Sequence, residues 1–280
     1  MADDVRQQPG SSQAEEAEEG EPQKGYQEIL AAEIQTGLTE LERPSRGLLL
    51  SGLSAGLDVS FSLLLMAVMT TLTAGRVPEV VSEVLVATMY SVGFIFVVLG
   101  RSELFTEHTT LAVLPVLDGR ATVRQLGRLW GLIYVSNLAG AAIFAGIAVL
   151  VGPALGIVQP FAFGKIAHGI VDHPMWVILT SAVLAGWLMG LITWLVAASR
   201  DTIGQIFLVW LVTTSIGLLH LQHCVVGTTE VLAGVFAGQG VSMADFFRFL
   251  SLTTAGNVAG SVVFVALLKY GHAKFSGASQ

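Results

Sequence analysis

A chain of 280 residues that is 53% hydrophobic and only 12% charged lies outside the composition of soluble globular domains. Several of its apolar stretches exceed the roughly 20 residues that a helix needs to cross a bilayer, so the expectation is an all-α polytopic membrane protein. The net charge of −7 says nothing about a substrate, because eleven of the 21 acids and four of the 14 bases fall in the first 46 residues and the remainder cancel.

Residues 1–24 are polar and acidic with no apolar run, which reads as a disordered tail. No basic start followed by an apolar core opens the chain, so a signal peptide is not expected. Over 25–46, Tyr26, Leu30, Ile34, Leu38 and Leu41 fall at steps of four and three. That spacing makes one face of a helix, read as lying on the membrane surface or, equally, on the protein's own face. Six spans follow, at about 47–72, 84–117, 132–151, 175–198, 203–237 and 246–268. The second is broken near 100–110, where GRSELFTEHTT interrupts an apolar run; the fifth is broken at 220–226. These spans form a first repeat over 47–152, a connecting loop over 153–173, a second repeat over 174–270 and a tail over 271–280.

Lys and Arg set the orientation. Ten of them (Arg6, Lys24, Arg43, Arg46, Arg120, Arg124, Arg128, Arg200, Lys269 and Lys274) fall on the side of the amino terminus. Only Arg76, Lys165 and Arg248 fall on the other, so six spans place both termini in the cytoplasm.

The halves resemble each other. YVSNLAGAAIF at 134–144 matches TAGNVAGSVVF at 254–264 through Asn137 and Asn257. Ala55-Gly56 matches Ala185-Gly186, and Thr106-Glu107 matches Thr229-Glu230. Three spans per half is an odd number, so the repeats must be inverted. Breaking a helix in a bilayer frees backbone groups that are tolerated where they line a polar cavity. Half-helices with their amino ends at the midplane would favour an anion there.

Arg101, Glu103, Glu107 and His108 at the first break, with Glu230 beyond the second, read as a buried charge network or as a substrate path. Asn137 and Asn257 read as partners for loop backbone, and Asp58 as a packing group. Tyr90 and Phe94, four apart, would narrow a pore or pack in the core. His223 is the strongest single candidate, since small changes of surroundings move an imidazole's charge across physiological pH. His220 and His223 lack a third ligand, so no metal is expected. The G-x-S-x-G string at 52–56 opens a membrane helix and lacks the strand and acid–base partners of a hydrolase. Neither an enzyme, nor a cofactor, nor a nucleic-acid partner is expected.

Leu104-Phe105-Thr106 at one break, His223 at the other and the paired Asn-x-Ala-Gly signatures resemble the formate/nitrite transporter family over about 26–272. The phrases RSELFTEHTTLAVLPV and HCVVGTTEVL are similar to its YfdC-like inner-membrane branch. The resemblance implies an aquaporin-like fold and an inner-membrane homopentamer with a pore in each protomer, carrying small monovalent weak-acid anions. It implies that Leu104 lines a constriction and that Thr106 contacts His223, which would aid protonation of the anion. The chain departs from the family in having Gly227 where asparagine is usual and Arg101 where a small residue is usual; Lys165 is merely near the place of the outer-vestibule lysine. A pore for a neutral solute, or a non-transporting sensor or scaffold, are the alternatives.

Overall fold

The computed structural model describes residues 24–276. The tail expected over 1–24 falls, apart from Lys24, outside the described residues, as do 277–280 of the tail expected at the other end. No strand occurs among the described residues.

Helix α1, Tyr26–Glu42, buries Ile29, Leu30, Ile34, Gly37 and Leu41. Its apolar stripe is covered by the protein itself and not by lipid. Tyr26 packs on Trp194 at 4.7 Å between ring centres and donates its hydroxyl to Lys269 O at 3.0 Å. Gly37 has no room for a side chain against Leu111 O and Pro115, so α1 lies hard against the first broken span. The same face buries Glu33, whose Oε2 has no partner, and burial pushes that carboxyl up to about 7.

The first span is α2, Ser45–Val59, continued by α3, Phe61–Thr73. They meet at Ser60, whose hydroxyl donates to Gly56 O at 2.6 Å, a side-chain bond of the kind that bends helices. The second span is α4, Glu79–Gly100, followed after a loop by α5, Phe105–Leu111, and α6, Leu114–Leu117. The third is α7, Val123–Ala154, begun by a capping box in which Thr122 and Gln125 bond reciprocally. The connection expected as a loop over 153–173 carries a twelve-residue helix, α8, Pro160–Val171, started by a proline in its first turn.

The fourth span is α9, Met175–Ala198; the fifth is α10, Thr202–Leu218, with α11, Cys224–Phe236. The sixth is α12, Met243–Ser261, a π-helical turn Val262–Leu267, and α13, Leu268–Ser276. Five crossings are long, apolar helices, whereas the fifth span is assembled from two pieces too short to cross alone. Tyr26 and Gln27 bond Lys269 O and Ala273 O, so both ends of the described chain lie on one face, here called the terminal face.

The inverted repeat is carried by matched helix pairs. α2 packs on α7 and α9 packs on α12, each through glycines that admit the partner's backbone. Gly56 faces Asn137 O as Gly186 faces Asn257 O; Gly140 faces Leu53 O as Gly260 faces Val183 O. The Thr-Glu match does not survive. Phe105 and Cys224 are the equivalent first residues of α5 and α11, which places Glu107 in the first turn and Glu230 in the second. Identity of two side chains suggests a register four residues away from the one the helix starts define.

Candidate functional site

The two breaks are built alike from opposite directions. At the end of α4, Arg101 takes a left-handed conformation with φ 54°; at the end of α10, His220 does so with φ 50°. Ser102 N–H then donates to Val97 O at 3.2 Å, as Leu221 N–H does to Ile216 O at 3.0 Å. An L-residue in that region costs about 1–2 kcal/mol, so Arg101→Gly is expected to leave thermal stability unchanged or raise it by about 1 kcal/mol, measured by melting the detergent-solubilised protein.

One asparagine holds each loop. Asn137 accepts from Phe105 N–H at 2.8 Å and donates to Gly52 O at 2.7 Å and Glu103 O at 2.9 Å. Asn257 accepts from Cys224 N–H at 2.8 Å and donates to Ala182 O at 2.8 Å and Gln222 O at 2.9 Å. Each side chain thereby meets the backbone demand that a break in a membrane helix creates.

The amino ends of α5 and α11 meet at the centre. Thr106 Oγ1 and His223 Nε2 lie 2.8 Å apart, both buried. His223 Nδ1 accepts from Val226 N–H at 3.2 Å, capping α11. In a neutral imidazole that assignment leaves the hydrogen on Nε2, so His223 donates to Thr106. Phe94 presses edge-on to His223 at 5.2 Å between ring centres, with Tyr90 beside it at 5.3 Å. Phe105 packs its ring on Tyr134 at 4.8 Å and on Trp130 at 6.0 Å, which anchors the loop.

Two cavities approach this pair from opposite faces. The far-side cavity, about 200 Å³, is lined by Tyr90, His220, Gln222, His223, Gly227, Glu230 and Phe249 among others. The terminal-side cavity, about 660 Å³, is lined by Glu33, Glu40, Arg43, Arg101, Glu103, Glu107 and His108 among others. No residue lines both, and the buried Phe94 and Leu104 line neither.

The charges expected as one network separate. Glu103 bonds His108 and Arg43, and Arg43 also bonds Glu40 at 2.7 Å. The cation of the cluster is thus Arg43, sixty positions away from Glu103 in sequence, and not Arg101. Glu40, Glu103 and His108 bring one donor atom each within 4.8 Å of one another, a spacing that suits a metal ion. The Arg43 guanidinium already compensates both carboxylates there. Arg101 stands exposed on the terminal-side wall with no ion pair among the described residues, and the half-buried Glu107 lines the same cavity. Glu230 opens into the other cavity altogether.

Lys165, near the place of a vestibule lysine by sequence, does line the far-side cavity, paired to Glu79 at 2.5 Å. Two further participants carry no mark in the sequence reading. Gln222 lines the far-side cavity with a buried Oε1 that has no hydrogen-bond partner among the described residues. Phe249 fills the space at Gly227, where a Cβ would strike its ring. A glycine in place of a side chain beside a central histidine was the available signal: something else had to occupy that volume.

Paired broken helices in an inverted repeat, meeting at a buried threonine–histidine bond between two cavities, define a polytopic membrane protein of the channel-and-transporter architecture. The family model described as "Formate/nitrite transporter" matches residues 27–271, and the chain belongs to that family. It is similar to "Inner membrane protein YfdC" of Escherichia coli (strain K12), 34% identical over 84% of this chain and 75% of that one. It is also similar to "Probable formate transporter" of Methanothermobacter thermautotrophicus, 31% identical over 76% of this chain and 84% of that one. Among solved structures, "FNT family ion channel" superposes with a TM-score of 0.74 at 20% identity, covering 91% of this chain and 98% of that one. "Pentameric formate channel with formate bound" superposes with a TM-score of 0.71 at 21% identity, covering 81% and 97%.

Proposed function

We propose that this chain carries a small monovalent weak-acid anion, formate, nitrite or similar, together with a proton. It does so across the inner membrane as a homopentamer with one path per protomer and both termini cytoplasmic. The observation that carries this reading is the Thr106–His223 bond, buried between two cavities that face opposite sides. The excess of Lys and Arg on the terminal face supports the orientation, and the likeness of the fold to a pentameric formate channel supports the assembly.

The physical problem is the apolar closure at Phe94 and Leu104. A bare anion there would lose its hydration with no compensating charge, whereas a neutral acid would not. The Thr106 hydroxyl has no acceptor of its own among the described residues, so its hydrogen is available to an arriving anion while His223 Nε2–H holds its oxygen. His223 then assists protonation by fixing the anion in place, and the acid crosses the closure uncharged.

Uptake of labelled formate, nitrite and acetate into proteoliposomes across pH, with wild type and His223→Asn, tests this. A hydrogen bond to a charged species is worth about 1.5–3 kcal/mol, so the variant is expected to lose roughly ten- to a hundredfold in flux. Equal flux at every pH would remove His223 from the mechanism. Water-driven swelling with no anion flux would favour a neutral-solute pore.

A further inference from the structure

The central pair does not by itself supply a travelling proton. Both ring nitrogens of His223 are engaged, Nδ1 with Val226 N–H and Nε2 with Thr106. A second proton at Nδ1 would set N–H against N–H and strip the cap from α11. We propose that Glu230 is the proton-carrying group of the far-side cavity, exchanging with water there and delivering to the anion held at Thr106 and His223. This inference rests on the anion-transport reading and deepens it.

Placement carries the argument. His223, Gly227 and Glu230 follow one another at i, i+4 and i+7, one stripe of a single helix. Glu230 stands about 10 Å farther along the axis than His223, and helical side chains lean back toward the amino end, here toward the histidine. Gly227 puts no side chain of its own on the intervening turn; the buried Phe249 ring takes that space, so the cavity joining Glu230 to His223 runs beside an apolar wall. Glu230 is itself only 5% exposed, yet it lines the cavity that His223 lines.

No competing partner holds it. Among the described residues no hydrogen bond or ion pair to Glu230 is formed, and Lys165, the cation of this cavity, is paired with Glu79 at 2.5 Å. The other ionisable groups facing the space are Tyr90 and Glu83 from α4, His220 from the loop, and His223 at the start of α11. α7 and α12 bring no charged side chain to it. A buried carboxyl inside a membrane protein, lining a cavity and committed to no cation, has the features of a proton relay.

The step balances. The O–H bond of Glu230 breaks and its electron pair stays on the carboxylate; the proton passes along water in the cavity that Glu230 and His223 both line, and an O–H bond forms on the anion to give the neutral acid. Far-side water then returns a proton to Glu230, so one proton accompanies each anion; export runs the same steps backwards.

The test is formate flux under an imposed proton gradient in proteoliposomes holding wild type, Glu230→Gln, Glu230→Asp or His223→Asn. Glu230→Gln is expected to lower flux about a hundredfold, the low end of the 10²–10⁴ that a positioned acid contributes. It should also flatten the pH profile with little change in KM, and Glu230→Asp should restore part of the loss. A wild-type pH profile and flux in Glu230→Gln, while His223→Asn is impaired, would overturn the relay and leave anion transport standing. Absence of flux of formate, nitrite or acetate in wild type would overturn both. Should Glu230→Gln fail to assemble, formate-difference infrared spectra of wild type decide: a change in the protonated-carboxyl band is expected, and its absence overturns the proposal.

Discussion

Replacing Asn257 with leucine is expected to cost roughly 3–9 kcal/mol and to prevent recovery of folded protein. The residue is fully buried, and its removal strands three backbone groups at once: Cys224 N–H, Ala182 O and Gln222 O. Each buried group left without a partner costs about 1–3 kcal/mol, and no water from the bilayer side can replace the lost bonds. A total of that size approaches the whole stability of a typical domain, about 5–15 kcal/mol. Asn137→Leu, which strands Phe105 N–H, Gly52 O and Glu103 O, is expected to match it. Thermal unfolding in detergent followed by size-exclusion chromatography measures both. A variant that melts like wild type would show that the loops are held by something other than these amides.

Gly186→Val is the second severe change. A Cβ at Gly186 would fall against the carbonyl oxygen and Cα of Asn257, and at the twin Gly56 against those of Asn137. Overpacking a core usually costs about 1–3 kcal/mol. Here the obstacle is backbone on the helix that fixes the loop, so the cost includes displacing the asparagine itself. Membrane helices that approach through small residues depend on that closeness for their association. Gly186→Val is therefore expected to abolish folding, whereas Gly47→Val, with open space around its Cβ, should be recovered in wild-type yield. Fluorescence-detected size exclusion separates the outcomes, and equal yields would refute the packing argument.

The crossings and both breaks were legible because apolar runs and their interruptions are written locally. So were Asn137 and Asn257 as backbone partners, since a broken membrane helix creates a demand that an amide can meet with both its donor and its acceptor. Contacts between distant positions were not legible. Nothing in the order of residues pairs Arg43 with Glu103, and the nearer Arg101 stood in its place. The Thr-Glu match misled because two identical letters outweighed the helix starts, which depend on Leu104 and His223 as capping positions. The α8 helix was hidden by its proline, histidines and polar neighbours, which read as a loop. The π-helical turn at Val262–Leu267 has no marker in composition at all, and its counterpart in α7 is an ordinary helix.

The asparagines leave one consequence for how such a protein can change over generations. Because Asn137 and Asn257 grip backbone atoms, the loop's shape does not depend on which side chains it displays. Leu104 and His223 occupy the same capping position in the two halves, one a buried hydrocarbon side chain and the other an imidazole. A duplicated ancestor with identical halves could therefore have acquired its polarity, and a descendant a new cargo, by substitutions at a handful of loop positions without renegotiating the fold.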